Sequence, residues 1–193
     1  MAKFNLINTR IGGLCVVEVS SSQDSRGFFI ETWNKHEFEK LGLNVDFVQD
    51  NHSRSKKGVL RGLHFQAPNS QAKLVRCANG AVFDVAVDLR RNSKTFCQWY
   101  GLILSDEDKK MFFIPGNFAH GFLALTDNVD FVYKTSEYYH PECERGIIWN
   151  DPGLNIAWPL NQFGIDKAEV SDKDAKLPKL KDYLRNADLN NRG

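Results

Sequence analysis

Asn79-Gly-Ala-Val-Phe-Asp-Val-Ala-Val-Asp-Leu89 alternates with a period of two. Ala81, Phe83, Val85, Val87 and Leu89 fall on one face, and Val82, Asp84, Ala86 and Asp88 on the other. Successive side chains of a β-strand point to opposite faces, so this run reads as a strand. One face is apolar and the other carries carboxylates, as expected of a strand lining a polar cavity. The Asn79-Gly80 pair tolerates positive φ at both positions, which predicts a hairpin to the preceding run.

The same kind of run recurs along the chain. Candidate strands cover 14–19, 27–33, 46–51, 59–66, 74–78, 81–89, 99–104, 111–114, 121–125, 129–135 and 146–149. Gly, Asn, Asp and Pro separate them, and many short strands so spaced predict an all-β sandwich or barrel. One short helix is expected over 35–41, capped by Asn34 with Glu37 three residues on. A second helical piece is expected over 181–186, and 188–193 reads as a frayed tail. No internal repeat or linker divides the chain, so 1–187 is expected to form a single domain.

Composition narrows the function. A chain of 193 residues can bury a sizeable core. The net charge of +1 gives no basic field, so nucleic acid is not an expected partner. The four cysteines, Cys15, Cys77, Cys97 and Cys143, form no CxxC pair and suggest neither a zinc site nor a disulfide framework. Met1-Ala-Lys-Phe-Asn5 lacks a signal-peptide core, and no apolar run approaches the roughly 20 residues of a membrane span. The expectation is a soluble cytoplasmic protein without a membrane partner.

Gly58-Val-Leu-Arg-Gly-Leu-His-Phe-Gln66 sets Arg61 and His64 among apolar neighbours, and Ile114-Pro-Gly-Asn-Phe-Ala-His-Gly-Phe122 does the same for His120. Ionisable groups in apolar surroundings are poor core fillers and are often ligand or proton-handling groups. Strict alternation puts Arg61 and His64 on opposite faces. If both serve one site, the strand needs a bulge, and Gly62 is its natural place. Glu31, Gln49, Asn51, Lys73, Asp84, Tyr133, Lys134 and Arg26 complete the polar inventory of the β-runs. No GxSxG elbow, phosphate loop or dinucleotide fingerprint appears. Metal-binding cupin barrels usually present two histidines one residue apart, and here Gln66 follows His64 at that spacing. A mononuclear metal held by His64, His120 and a carboxylate stays open as an alternative.

The remaining set is His as base, Tyr as acid and Lys as fixed charge, which suits proton abstraction beside a carbonyl. A positioned base contributes about 10²–10⁴ in rate. Preorganised charge at the developing oxyanion usually contributes more. Plainer readings compete. Tyr133 can pack on the core with its hydroxyl at water, Lys73 can be an edge lysine, and Asp84 a satisfied buried group. Tyr138-Tyr139 can be a surface pair, and Trp149 and Trp158 core residues.

Arg26-Gly-Phe-Phe-Ile-Glu31, Gln49-Asp-Asn-His-Ser53 and Val59–Gln66 together resemble the dTDP-4-dehydrorhamnose 3,5-epimerase family. So do 82–90, 114–122, Tyr133-Lys134, Tyr138-Tyr139 and Trp149-Asn-Asp-Pro152. The resemblance runs in order from Arg26 to Asp174. It implies a double-stranded β-helix, a cupin-like jelly-roll barrel with a few short peripheral helices, working as a homodimer without metal or cofactor. The implied substrate is a dTDP-linked 4-keto-6-deoxyhexose inverted at C3 and C5. His64 would be the base, Asp174 its carboxylate partner, Tyr133 the acid on the opposite face and Lys73 the enolate stabiliser. Arg26, Arg61 and Lys173 would meet the diphosphate or nucleotide, and Tyr139 would stack on thymine. Glu31, Gln49, Asn51, His120 and Glu144 would line the pocket. Asn117 and Ala72 stand where the family commonly has Gly. Rival readings are an epimerase of one carbon only, a non-catalytic nucleotide-sugar-binding barrel and a metal-dependent oxygenase.

Overall fold

The computed structural model describes residues 3–190. Thirteen strands follow in chain order: β1 Phe4–Asn8, β2 Cys15–Val19, β3 Ser22–Asp24, β4 Gly27–Phe29, β5 Gln49–Ser55, β6 Leu60–Gln66 and β7 Lys73–Asn79. Then come β8 Ala81–Asp88, β9 Trp99–Ser105, β10 Met111–Ile114, β11 Phe118–Ala124, β12 Val129–Thr135 and β13 Glu144–Gly146. Helix α1 spans Lys35–Lys40 and α2 spans Leu180–Asn190. Asn34 caps α1 through a hydrogen bond from the Glu37 amide, 3.3 Å.

Two antiparallel sheets face each other, ordered β1-β2-β10-β7-β12-β5 and β13-β6-β11-β8-β9. From β5 to β8 each successive strand changes sheet, as do β9 to β13, which is the double-stranded β-helix arrangement expected. The inner faces share a core in which Val75, Val82, Ala86, Phe112, Phe122 and Phe131 pack together. Phe122 and Phe131 stack at 4.2 Å between ring centroids. The outer faces are covered too. Phe4, Phe38, Leu74 and Met111 pack outside the six-stranded sheet, and Leu63, Val85, Ile147 and Leu180 outside the other.

Several expectations need correction. Asn79-Gly80 makes no hairpin: β7 and β8 belong to different sheets, and the turn carries the chain across the barrel. Gly80 has φ +78, and a Cβ there would collide with the Thr126 hydroxyl. Gly80 alone takes positive φ, not Asn79, and the tertiary packing of β7 against β10 and β12 decides the pairing. The carboxylate face of β8 does not line the cavity. Asp84 is bound to His120 and is not among the lining residues, and Asp88 is bound by Arg90, Ser93 and Thr95 at the strand end. Strands β1 and β3 were not expected. The strand expected over 46–51 lies at Gln49–Ser55, the one over 27–33 ends at Phe29, and the one over 146–149 is replaced by β13. Helix α2 continues to Asn190, into the stretch expected to fray, and 191–193 fall outside the described residues. Among the described residues no helix is long and apolar enough to cross a membrane.

The bulge at Gly62 is present. His64 pairs with His120 and Arg61 with Phe122, so β6 spends one extra residue over that interval. Gly62 has φ +121, and a Cβ on it would sit 2.6 Å from Gly121 Cα and 2.7 Å from the His120 carbonyl. Only glycine fits there. The extra residue brings Arg61 and His64 to the same side.

Candidate active site

A cavity of about 720 Å³ opens between the two sheets. Strands β5, β6, β7, β11, β12 and β13 contribute through their inward positions. On β5, Gln49, Asn51 and Ser53 face in, while Asp50, His52 and Arg54 face out. The six-stranded sheet adds Lys73 from β7 and Tyr133 from β12. The five-stranded sheet adds Arg61 and His64 from β6, His120 from β11 and Glu144 from β13. Tyr139, Lys173 and Asp174 come from the connecting segments. Every expected site residue therefore lines this cavity except Arg26 and Glu31.

Those two lie elsewhere on this chain. Arg26 lies at the turn of the separate β3–β4 pair, 87% exposed, with its guanidinium 2.6 Å from Asp24. Glu31 is held by Lys3 at 2.9 Å and by the Asn34 amide group at 3.2 Å. The β3–β4 pair hydrogen-bonds to neither main sheet, so its residues do not reach this chain's own cavity.

His64 and Asp174 form a close pair, with Nε2 donating to Oδ1 at 2.8 Å. Asp174 is buried, and its other oxygen accepts from the Gly62 amide at 3.1 Å. Burial works against the Asp174 carboxylate, but His64, Gly62 and Ser171 outweigh it and hold the carboxyl below its ordinary range. A neutral His64 that gives its Nε2 proton to a carboxylate keeps Nδ1 as an acceptor. The bulge thus serves twice: it turns His64 inward and supplies the amide that fixes its partner.

Tyr133 and Lys73 face this pair from the opposite sheet. The Lys73 ammonium lies 6.0 Å from the Tyr133 ring centroid. Burial lowers Lys73 to about 8, against the pull of Asp84 and Glu144. Burial also raises the Tyr133 phenol, so it stays protonated at neutral pH. Ala72 sits in the outer apolar cluster with its amide on Ser136 Oγ, 2.8 Å, and leaves Lys73 pointing inward. Asn117 takes the left-handed conformation, φ +64, which Asn adopts more readily than other residues with a side chain.

At the cavity mouth Glu144 ties two groups together. The Tyr139 hydroxyl donates to it at 2.5 Å and the Lys173 ammonium at 2.6 Å. Burial of Glu144 is outweighed by these donors, which hold its carboxyl below the usual range. The Tyr139 amide donates to Gln49 Oε1 at 3.0 Å, fixing the segment that carries the ring. Arg61 reaches Ser55 Oγ at 3.1 Å.

Sequence reasoning missed Ser53, Gln66 and Thr135. Ser53 Oγ is buried without a hydrogen-bond partner among the described residues. Continuing the 49, 51 alternation by two would have found it. Gln66 binds the backbone around Tyr138 and His140 from below, through bonds of 3.1 and 2.8 Å. Among the described residues no group of three or more His, Cys, Asp or Glu is arranged to hold a metal ion.

A family model described as dTDP-4-dehydrorhamnose 3,5-epimerase matches residues 8–182. A curated protein of that name from Escherichia coli K12 is 51% identical over 183 residues, 94% of this chain and 97% of its own. Its counterpart from Methanothermobacter thermautotrophicus is 50% identical over 182 residues, again 94% and 97%. The crystal structure of a dTDP-6-deoxy-D-glucose-3,5-epimerase from Legionella pneumophila, in complex with dTDP-4-keto-L-rhamnose, superposes with a TM-score of 0.88. It is 50% identical and covers 92% of this chain and 93% of that one.

Proposed function

The chain belongs to the dTDP-4-dehydrorhamnose 3,5-epimerase family, and from that premise we propose that it converts dTDP-4-dehydro-6-deoxy-D-glucose to dTDP-4-dehydro-L-rhamnose, inverting C3 and C5. The observation that carries this reading is the opposition of His64–Asp174 on one sheet to Tyr133 and Lys73 on the other, across one cavity. Inversion at carbon needs a base and an acid on opposite faces. The C–H bond beside the ketone breaks, its proton goes to His64 Nδ1, and the electron pair moves to the C4 oxygen. Lys73 stabilises that oxyanion. Tyr133 then delivers its hydroxyl proton to the opposite face, and solvent exchange resets both groups. The carbon beyond the ketone repeats the cycle after the sugar ring turns. No cofactor takes part in these steps.

The nucleotide end is read at the cavity mouth. Arg61 and Lys173 meet the diphosphate, and Tyr139 stacks on the thymine. Gln49, Asn51, His120 and Glu144 shape the walls. Arg26 and Glu31 enter through a homodimer, in which the β3–β4 arm of one protomer covers the cavity of its partner. The exposure of Phe28 and Phe29 on that arm, 56% and 74%, supports this arrangement. Residues 1–187 act as one domain.

The test is the stereochemistry of the product. Incubation with dTDP-4-dehydro-6-deoxy-D-glucose should yield the sugar inverted at both carbons, read from proton couplings. Inversion at one carbon alone would assign the chain to single-site epimerases. Recovery of bound, unchanged substrate would leave a binding barrel.

A further inference from the structure

The proposed chemistry gives Asp84 no task, yet this carboxylate is 0% exposed. Burying a charge is costly unless it is paired. Asp84 sits on β8, beside β11 in the same sheet, and does not itself line the cavity. Its two oxygens meet His120 Nε2 at 2.9 and 3.1 Å. His120 is 7% exposed, lines the cavity, and stacks on Phe131 with the ring planes 19° apart. The pair repeats the His64–Asp174 arrangement on the neighbouring strand, since His120 and His64 are register partners. Burial favours the neutral form of His120. A neutral ring that gives its Nε2 proton to a carboxylate presents Nδ1 as an acceptor. His120 can then receive a hydrogen bond from a sugar hydroxyl but cannot donate one to an oxyanion, so that duty falls to Lys73.

Lys73 completes the cluster. Among the described residues its ammonium makes no hydrogen bond or ion pair. Its charge is held by the surrounding field, in which Asp84 is the leading anion and Glu144 the second, both opposing burial. The ammonium lies over the Tyr133 ring of β12, and His120 of β11, which burial favours as neutral, lines the same cavity. His64 on β6 is the register partner of His120 and lines the same cavity.

We propose that Asp84 is a positioning residue for the epimerisation: it fixes His120 as a hydrogen-bond acceptor in the cavity wall and holds Lys73 as the ammonium that meets the C4 oxygen. The catalytic part of this inference rests on the proposed function, whereas the charge relation between Asp84 and Lys73 does not.

Asp84→Asn keeps the shape and removes the charge. The Lys73 side chain is titrated without substrate by the 13Cε shift, assigned through Lys73→Arg. The midpoint should fall by about one unit or more, and the alkaline limb of kcat should fall with it. That lowers kcat at pH 8 by about fivefold, with KM changed less than about threefold. An unmoved midpoint and limb in a folded variant would overturn the proposal. Should Asp84→Asn not fold, long-range 1H–15N spectra of the wild type decide. His120 should be neutral with its proton on Nε2, and a proton on Nδ1 or a cationic ring would overturn the assignment. A wild type inert toward the ketosugar would sink the proposed function while leaving the titration readable. An active wild type with an unmoved midpoint sinks only the role of Asp84.

Discussion

His64 and Tyr133 divide one reaction between two sheets, so their loss should be felt differently. His64→Ala should lower kcat by about 10²–10⁴ while leaving nucleotide affinity within a few fold, checked by steady-state kinetics and calorimetry with dTDP. Near-normal turnover in that variant would remove His64 from the base role. Tyr133→Phe keeps the base and loses the acid. It should still exchange the C3 proton with solvent but lose inversion at C5, which NMR of the product distinguishes. Lys73 carries a stability cost for its function. Its folded pKa is depressed to about 8 from 10.5, so below about 8 the protein bears the full cost of a buried ammonium. Between those values the unfolded chain binds more protons, and stability should rise with pH. Lys73→Met should therefore be more stable than wild type at pH 7, by up to about 3 kcal/mol, yet inactive. Denaturant unfolding at pH 7 and pH 10 reads this, and the advantage should shrink at the higher pH.

At the scale of elements, the β6 bulge links fold and chemistry. Gly62→Ala adds a Cβ 2.6 Å from Gly121 Cα at a φ of +121. The strain should cost roughly 1–3 kcal/mol and rotate His64 from the cavity, so activity should fall more than stability alone explains. Thermal melts beside kinetics at low temperature separate the two. The bulge was legible because Arg61 and His64 could not share a face without it. Strand β5 was misplaced because Gln49-Asp-Asn-His-Ser-Arg-Ser55 has no apolar alternation; its inward side chains face a cavity rather than a core. The Asn79-Gly80 turn was legible as a turn and misleading as a hairpin, since two residues carry no information about which sheet each strand joins. Glu144 anchors Tyr139 five positions away but Lys173 across 29 positions, and no local pattern encodes the longer contact.

For the molecule as a whole, the barrel was readable from alternation and turn spacing, and most of the candidate site from polar residues set in apolar strands. Arg26 and Glu31 were named by resemblance and lie outside the cavity of their own chain. The homodimer proposed to reconcile them predicts a mass of twice 22.0 kDa by light scattering. It further predicts that Phe28→Asp with Phe29→Asp shifts the protein toward monomer and raises KM. A monomeric wild type of full activity would remove the arm from the site. The central claim concerns carbon acidity, and proton NMR of dTDP-4-dehydro-6-deoxy-D-glucose with this protein in D₂O, without added metal, tests it most directly. Deuterium should replace hydrogen at both C3 and C5, and a nucleotide sugar that stays fully protonated while bound in the cavity would contradict the epimerase reading.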